Sequence, residues 1–208
     1  MADEFEQNAL PEQGESRAAR KRWADGYILL HDLTFILAAV SLVFVFVLRL
    51  VVVDGYSMYP TLVNRDYVAL ESNVLYRNIQ PGDVVVANVP GFREGPIVKR
   101  VIAVAGQTVD IDFMAGVVYV DGVALEEDYT YEPTYLSYAN DGVQFPLTVR
   151  EGCIFVLGDN RNDSRDSRYA PIGQIDTRCV LGRVRWVAMP GKDKFTDRID
   201  FGRIGKVK

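Results

Sequence analysis

"GPIVKRVIAVAG", Gly95 to Gly106, is a β-branched run bounded by glycines, and it predicts a strand. Successive side chains of a strand point to opposite faces. Ile97, Lys99, Val101 and Ala103 therefore share one face, and Val98, Arg100 and Ile102 the other. A lysine is thereby set among isoleucine, valine and alanine. The pattern alone leaves two readings open. Most strand lysines are solvated residues that discourage edge pairing, whereas a buried one has altered chemistry. Arg100, on the opposite face, needs a carboxylate partner.

Runs of the same kind lie on both sides. "DYVALES", "GDVVVANVP", "TVDI", "GVVYVDGVAL", "CIFVLGD" and "GRVRWVAMP" each predict a short strand between turn signals. Asp121-Gly122, between "VVYV" and "VAL", is a two-residue hairpin signal. No sustained helical period and no internal repeat follows Val53. The expected fold class is mainly β, a β-rich domain over 54–208 with an insertion at about 107–150.

Upstream the sequence changes character. Leu33 to Leu48 is 16 residues without a charge; if Arg49 snorkels, the apolar run reaches Val53, 21 residues in all. About 20 cross a bilayer core, and a soluble helix would show a polar face, which this stretch lacks. Residues 27–53 are expected to be a transmembrane anchor, with Trp23 and Tyr27 in an aromatic belt and Asp32 capping the helix start. The cluster "RAARKR" precedes the run, so the positive-inside rule leaves 1–26 as a cytoplasmic tail and the β domain extracytoplasmic. The run is too long for a cleaved signal peptide, and "RLVVVDGYS" has no small-x-small site.

The totals narrow the chemistry. A net charge of −5 makes no case for nucleic acid. Cys153 and Cys179, without metal spacing, could pair, but read rather as two buried free thiols. His31, the only histidine, lies at the inner edge of the anchor. A Ser-His-Asp triad or a histidine metal site in the outer domain is excluded. A nucleophile there needs a carboxylate or an amine as its base. A lysine qualifies when neutral, a state that burial favours by lowering its pKa, by up to about 3–5 units.

"VVVDGYSMYPTL", Val51 to Leu62, places Ser57 four residues beyond Val53. Gly55 permits a sharp turn before it and Pro60 stiffens the chain after it. "GDNRNDSRDSR", Gly158 to Arg168, packs donors and acceptors together. As a solvated loop its Asp-Arg pairs would be worth little each. As a calcium loop it fails, because Arg161 holds the third position and no glycine the sixth.

"GYSMYPTL", "GDVVV…PIVKRVIAVAG" and "GDNRNDSRDSR", in that order behind an anchor, resemble the bacterial type I signal peptidases, membrane serine proteases that release secreted proteins. The resemblance runs from the anchor to about Trp186. It implies Ser57 as nucleophile and Lys99 as general base, with the Ser57 N–H as one oxyanion donor. It further implies Ser164 as the residue orienting the lysine, Asp166 and Arg168 as a supporting ion pair, and Asp159 as the partner of Arg100. Gly55 stands where some members have a serine that completes the oxyanion hole, as in the single-anchor Gram-positive type. The residues placed around Ser57, Met58, Leu62, Ile97 and Val98, are bulky and apolar. They suit shallow pockets for small residues at positions −1 and −3 of the precursor. The resemblance implies no cofactor or metal. Its implied partners are signal-peptide-bearing precursors and the bilayer, near the secretion translocon, and its implied location is the cell membrane. A different class, an inactive membrane-anchored β module binding exported chains, is the alternative.

Overall fold

The computed structural model describes residues 13–46, 48–73, 76, 78–92 and 95–207, so residues 1–12 of the expected tail lie outside the described residues. The chain divides into two compact units, Met1–Val45 and Phe46–Lys208.

Among the described residues the first unit is the helix α1 (Gln13–Phe46), whose last residue belongs to the second. Its stretch Lys21–Leu42, 22 residues, is long and apolar enough to cross a membrane, and none of it is buried within the protein. Two expectations need correction. Asp32 lies in the middle of α1 rather than at its start, with its carboxylate 3.3 Å from His31 Nδ1. The helix ends at Phe46, and Leu48–Val52 is a strand, β1, where the anchor was expected to continue to Val53. The reason is pairing. β1 runs antiparallel to β2 (Tyr67–Ser72), Leu48 opposite Glu71 and Val52 opposite Tyr67, which satisfies backbone groups that a lone helical end would leave open.

The second unit continues with β3 (Val84–Ala87), β4 (Ile97–Val104), β5 (Thr108–Asp112), β6 (Val117–Val120), β7 (Val123–Ala124) and β8 (Leu147–Thr148). It ends with β9 (Cys153–Leu157), β10 (Ile175–Asp176), β11 (Val180–Met189) and β12 (Gly205–Lys206). The larger sheet has the order β1-β2-β11-β3-β4-β9-β10, with β12 on β11, and the smaller sheet the order β7-β6-β5-β8. The smaller sheet thus draws all its strands from 108–148. Its β6–β7 turn carries Asp121 at φ 53° and Gly122 at φ 80°, the two left-handed residues that a type I′ hairpin demands.

Three apolar clusters hold the unit together. One contains Val85, Ile97, Val101 and Val156; a second contains Met58, Leu62, Leu70, Val86 and Val184; a third joins the two sheets through Ile102, Val109, Val118 and Phe155. Each such side chain, fully buried, contributes about 1.5–3 kcal/mol. The period-two reading of β4 holds from Ile97 to Ile102. A register shift between Val101 and Ala103 then carries Ala103 into the cluster of Ile102, away from the Lys99 face. Both cysteines are free and half-buried, where burial was expected.

Candidate active site

Ser57 sits in a loop between β1 and β2 that is pinned at both ends. The Val53 N–H donates to the Asp66 carbonyl at 2.8 Å, and the Arg65 N–H donates to the Val53 carbonyl at 2.9 Å. Met58 and Leu62 are buried in the second cluster, so the residues flanking the serine are tied to the core. Gly55 has φ 99°, a left-handed conformation disfavoured for side chains, and its N–H donates to Asn64 Oδ1 at 3.1 Å.

β4 delivers the lysine. Lys99 is 4% exposed, which rejects the solvated reading. Its Nζ donates to Ser57 Oγ at 2.7 Å and to the Val98 carbonyl at 2.8 Å. Hydroxyl and amine are thus in direct hydrogen-bond contact across 42 residues of sequence.

The third motif closes over this pair. The Asn160 N–H donates to the Ser57 carbonyl at 3.1 Å. Gly158 has no room for a side chain, since a Cβ there would overlap Ser164 Oγ and the Ser57 carbonyl oxygen. Ser164 Oγ donates to Asp166 Oδ2 at 2.8 Å, and Asp166 also accepts from the Gly158 N–H at 3.0 Å and from Arg168 Nε at 2.8 Å. Burial pushes the Asp166 carboxyl up, but the Arg168 guanidinium, the Gly158 N–H and the Lys99 charge hold it below the ordinary carboxylate value. Tyr138 donates to the Ser164 carbonyl, and burial together with Asp166 pushes its hydroxyl up to about 12, keeping it a donor.

On the other face of β4, Arg100 meets Asp159 in a bidentate pair, Nε to Oδ1 at 2.8 Å and NH2 to Oδ2 at 2.7 Å. Thr61 Oγ1 donates to the same carboxylate at 2.5 Å, linking the pair to the Ser57 loop, and Tyr129 lies 4.0 Å under the guanidinium. The solvated reading of this loop fails, because most of it is interior. Arg161 and Arg168 are both buried, and Arg161 pairs with Glu127 through NH1 at 2.6 Å and NH2 at 2.5 Å.

A family model described as "Signal peptidase, peptidase S26" matches residues 27–189. The chain belongs to the signal peptidase, peptidase S26, family. "Signal peptidase I" of Bacillus amyloliquefaciens is 30% identical over 193 residues, covering 90% of this chain and 96% of that protein. "Probable signal peptidase I-1" of Synechocystis sp. is 38% identical over 144 residues, 63% of this chain and 69% of that one. "Signal peptidase I S" of Bacillus subtilis is 34% identical over 146 residues, 67% and 76% respectively. Membership makes the chain a serine protease.

Within this family member, a cavity of about 160 Å³, walled mainly by apolar side chains together with Asp54, opens beside Ser57 and Lys99. Met58, Ile97 and Val98 line it, with Val51, Val53, Val86 and Pro96. Leu62 does not; it is fully buried in the core. Gly55 lines a neighbouring cavity. Sequence reasoning missed Asn160, Thr61 and the Arg161–Glu127 pair. Arg161 stood inside a quoted motif, but Glu127 and Thr61 are 34 and 98 residues from their partners and no periodic pattern connects them.

Proposed function

We propose that this protein is a membrane-anchored endopeptidase that removes N-terminal signal peptides, with Ser57 as nucleophile and Lys99 as general base. The contact of Lys99 Nζ with Ser57 Oγ at 2.7 Å carries the reading, because a buried amine in hydrogen-bond reach of a hydroxyl is the arrangement that base catalysis by lysine requires. In the reactive form Lys99 is neutral and the hydrogen bond is reversed, Ser57 donating.

As Ser57 Oγ bonds to the scissile carbonyl carbon, its proton passes to Nζ. The oxyanion is met by the Ser57 N–H, which has no hydrogen-bond partner among the described residues. The Gly55 N–H is already given to Asn64 and is not the second donor. Collapse of the intermediate breaks the C–N bond, and the Lys99 ammonium protonates the departing amine. Neutral Lys99 then takes a proton from water as the water attacks the ester, which frees the signal peptide and restores Ser57. Ser164, Asp166 and Arg168 position the amine, while Arg100 and Asp159 brace β4 against the Ser57 loop.

The apolar stretch of α1 anchors the protein with the basic cluster in the cytoplasm. The apolar cavity accepts small residues at positions −1 and −3. The alternative, an inactive membrane-anchored β module binding exported chains, is set aside, because a binder has no need of a buried lysine on a serine. Reaction of the full chain in detergent with a serine-directed acylating probe, and cleavage of a precursor with an Ala-x-Ala site, test this. Both are expected to vanish in Ser57→Ala and in Lys99→Arg, since a guanidinium does not deprotonate in a protein. Near-full activity in Lys99→Arg would refute the base assignment.

A further inference from the structure

Two cavities meet at the serine–lysine pair and share Asp54, Ser57, Ile97 and Lys99, but their other walls differ in chemistry. The apolar one, described above, suits the small residues before the scissile bond. The second, about 370 Å³, is completed by Tyr56, Phe92, Asp163 and Arg165. A peptide whose scissile carbonyl rests on Ser57 Oγ has residues on both sides of that bond. If its acyl side fills the apolar cavity, its amine side requires another surface reaching the same serine.

The charged groups on this second rim are Asp54, Lys99, Asp163 and Arg165, and they are not equally partnered. Asp163 Oδ2 lies 3.5 Å from Lys194 Nζ, and that ammonium sits 5.0 Å over the Tyr56 ring. Asp54 also has an interaction of its own. Arg165 is exposed, lies 5.8 Å over the Tyr169 ring, and makes no ion pair among the described residues. Among the described residues, its positive charge is the one left available to a ligand.

We propose that this second cavity is the subsite for the released chain, and that Arg165 favours an acidic side chain at the first or second residue after the scissile bond. The proposal rests on the serine–lysine reading above and adds to it the chemistry of the leaving side.

The test uses the purified full chain in detergent and precursor peptides with Ala at −1 and −3. Asp, Ala or Lys is placed at the first two positions after the bond, and a second set carries the same charges at position −2. The expected kcat/KM is about 2–5-fold higher for Asp than for Lys on the leaving side, the size of an exposed charge pair. That ratio should shrink toward one in 1 M salt, where the screening length is about 3 Å. Arg165→Gln should abolish it and Arg165→Glu invert it, with the ratio at position −2 unmoved by either. An Asp-to-Lys ratio unchanged in Arg165→Glu overturns the subsite while leaving the dyad intact. An equal change at position −2 also overturns it, by showing a general field effect. Failure of the wild-type protein to cleave even the all-Ala peptide would instead overturn the serine–lysine reading on which it rests.

Discussion

The backbone N–H of Asn160 donates to the Ser57 carbonyl at 3.1 Å, and the Asn160 side chain donates to the Tyr56 carbonyl at 3.2 Å. Two consecutive carbonyls of the Ser57 loop are thus held by one residue of the Gly158–Arg168 loop. The position of the serine is a property of that distant loop as much as of its own neighbours. Lys99 approaches from a third element, β4, whose register against β9 is fixed by core packing. Three segments far apart in sequence converge, and each is locked by contacts other than the serine–lysine bond itself.

Gly158 is the tightest point of that convergence. In Gly158→Ala the new methyl must displace Ser164 or the Ser57 carbonyl, both of which are held by hydrogen bonds. A displacement near 1 Å at a reacting group lowers rate by about 100-fold. The acylation rate of Ser57 should fall by about that factor while the circular dichroism spectrum stays β-rich. An acylation rate within twofold of wild type would show that the loop yields without moving the serine.

Ser164 and Ser167 are neighbours with separable roles. Ser167 Oγ accepts from the Val156 N–H at 2.9 Å, which ties it to the end of β9. Ser164 Oγ faces Asp166 beside the Ser57 carbonyl. Ser164→Ala is expected to lower kcat about 10–100-fold with KM little changed, as loss of a group orienting the base should. Ser167→Ala should instead lower the denaturation midpoint and leave kcat within a few-fold. The reverse assignment of the two effects would transfer the orienting role to Ser167.

Much of this was legible in the sequence, and the gaps have physical causes. The strands β2, β3, β4, β5, β6, β9 and β11 were announced by β-branched runs between turn residues, because such runs bury only when paired. β1 was hidden because "LRLVV" continues an apolar helix, and apolarity does not distinguish a spanning turn from a strand. Only the partner β2 decides it, and pairing is not a local property. The contacts of Lys99 with Ser57 and of Arg168 with Asp166 join residues that stand in the motifs. Glu127, Thr61 and Asn160 were missed, since their contribution is a hydrogen bond to a residue far along the chain. Leu62 was placed on a wall by proximity in sequence, but the loop turns it into the core.

Arg100 and Asp159 test the bracing role. Both are essentially inaccessible, and removing one leaves the other buried without its charge partner. Arg100→Met is expected to destabilise the outer domain by about 3–5 kcal/mol, seen as a lower urea midpoint. Replacing both, Arg100→Met with Asp159→Leu, should recover part of that loss, because the stranded charge is gone. A double variant no more stable than Arg100→Met would show that the single-site loss comes from packing rather than from the stranded carboxylate.

Asp166 sets an acid limit. Its carboxyl is held below the ordinary value in the folded protein, so its contribution to stability is fully present above the unfolded value of about 3.9. That contribution is lost as pH falls through the lower folded value. The midpoint of urea unfolding should therefore decline below about pH 4, and the decline should be shallower in Asp166→Asn, which has no carboxyl to titrate there. An equally steep decline in Asp166→Asn would assign the acid sensitivity to other carboxylates.

The apolar cavity sets the specificity expected before the scissile bond. Its volume, about 160 Å³, is close to that of an apolar protein cavity that holds a single benzene ring, about 150 Å³. Alternate side chains of an extended peptide point the same way, so in the proposed binding mode positions −1 and −3 enter this space together. One phenyl ring would fill it and leave no room for the second side chain. Overpacking of this kind costs about 1–3 kcal/mol, so Phe in place of Ala at −1 should lower kcat/KM by about 10–100-fold. Val86, a wall residue buried in the second cluster, offers a control. Val86→Ala should narrow the gap between Phe and Ala substrates by enlarging the cavity without touching the serine or the lysine. Equal kcat/KM for Phe and Ala in the wild-type protein would sink the shared-cavity model, whatever became of the serine–lysine pair.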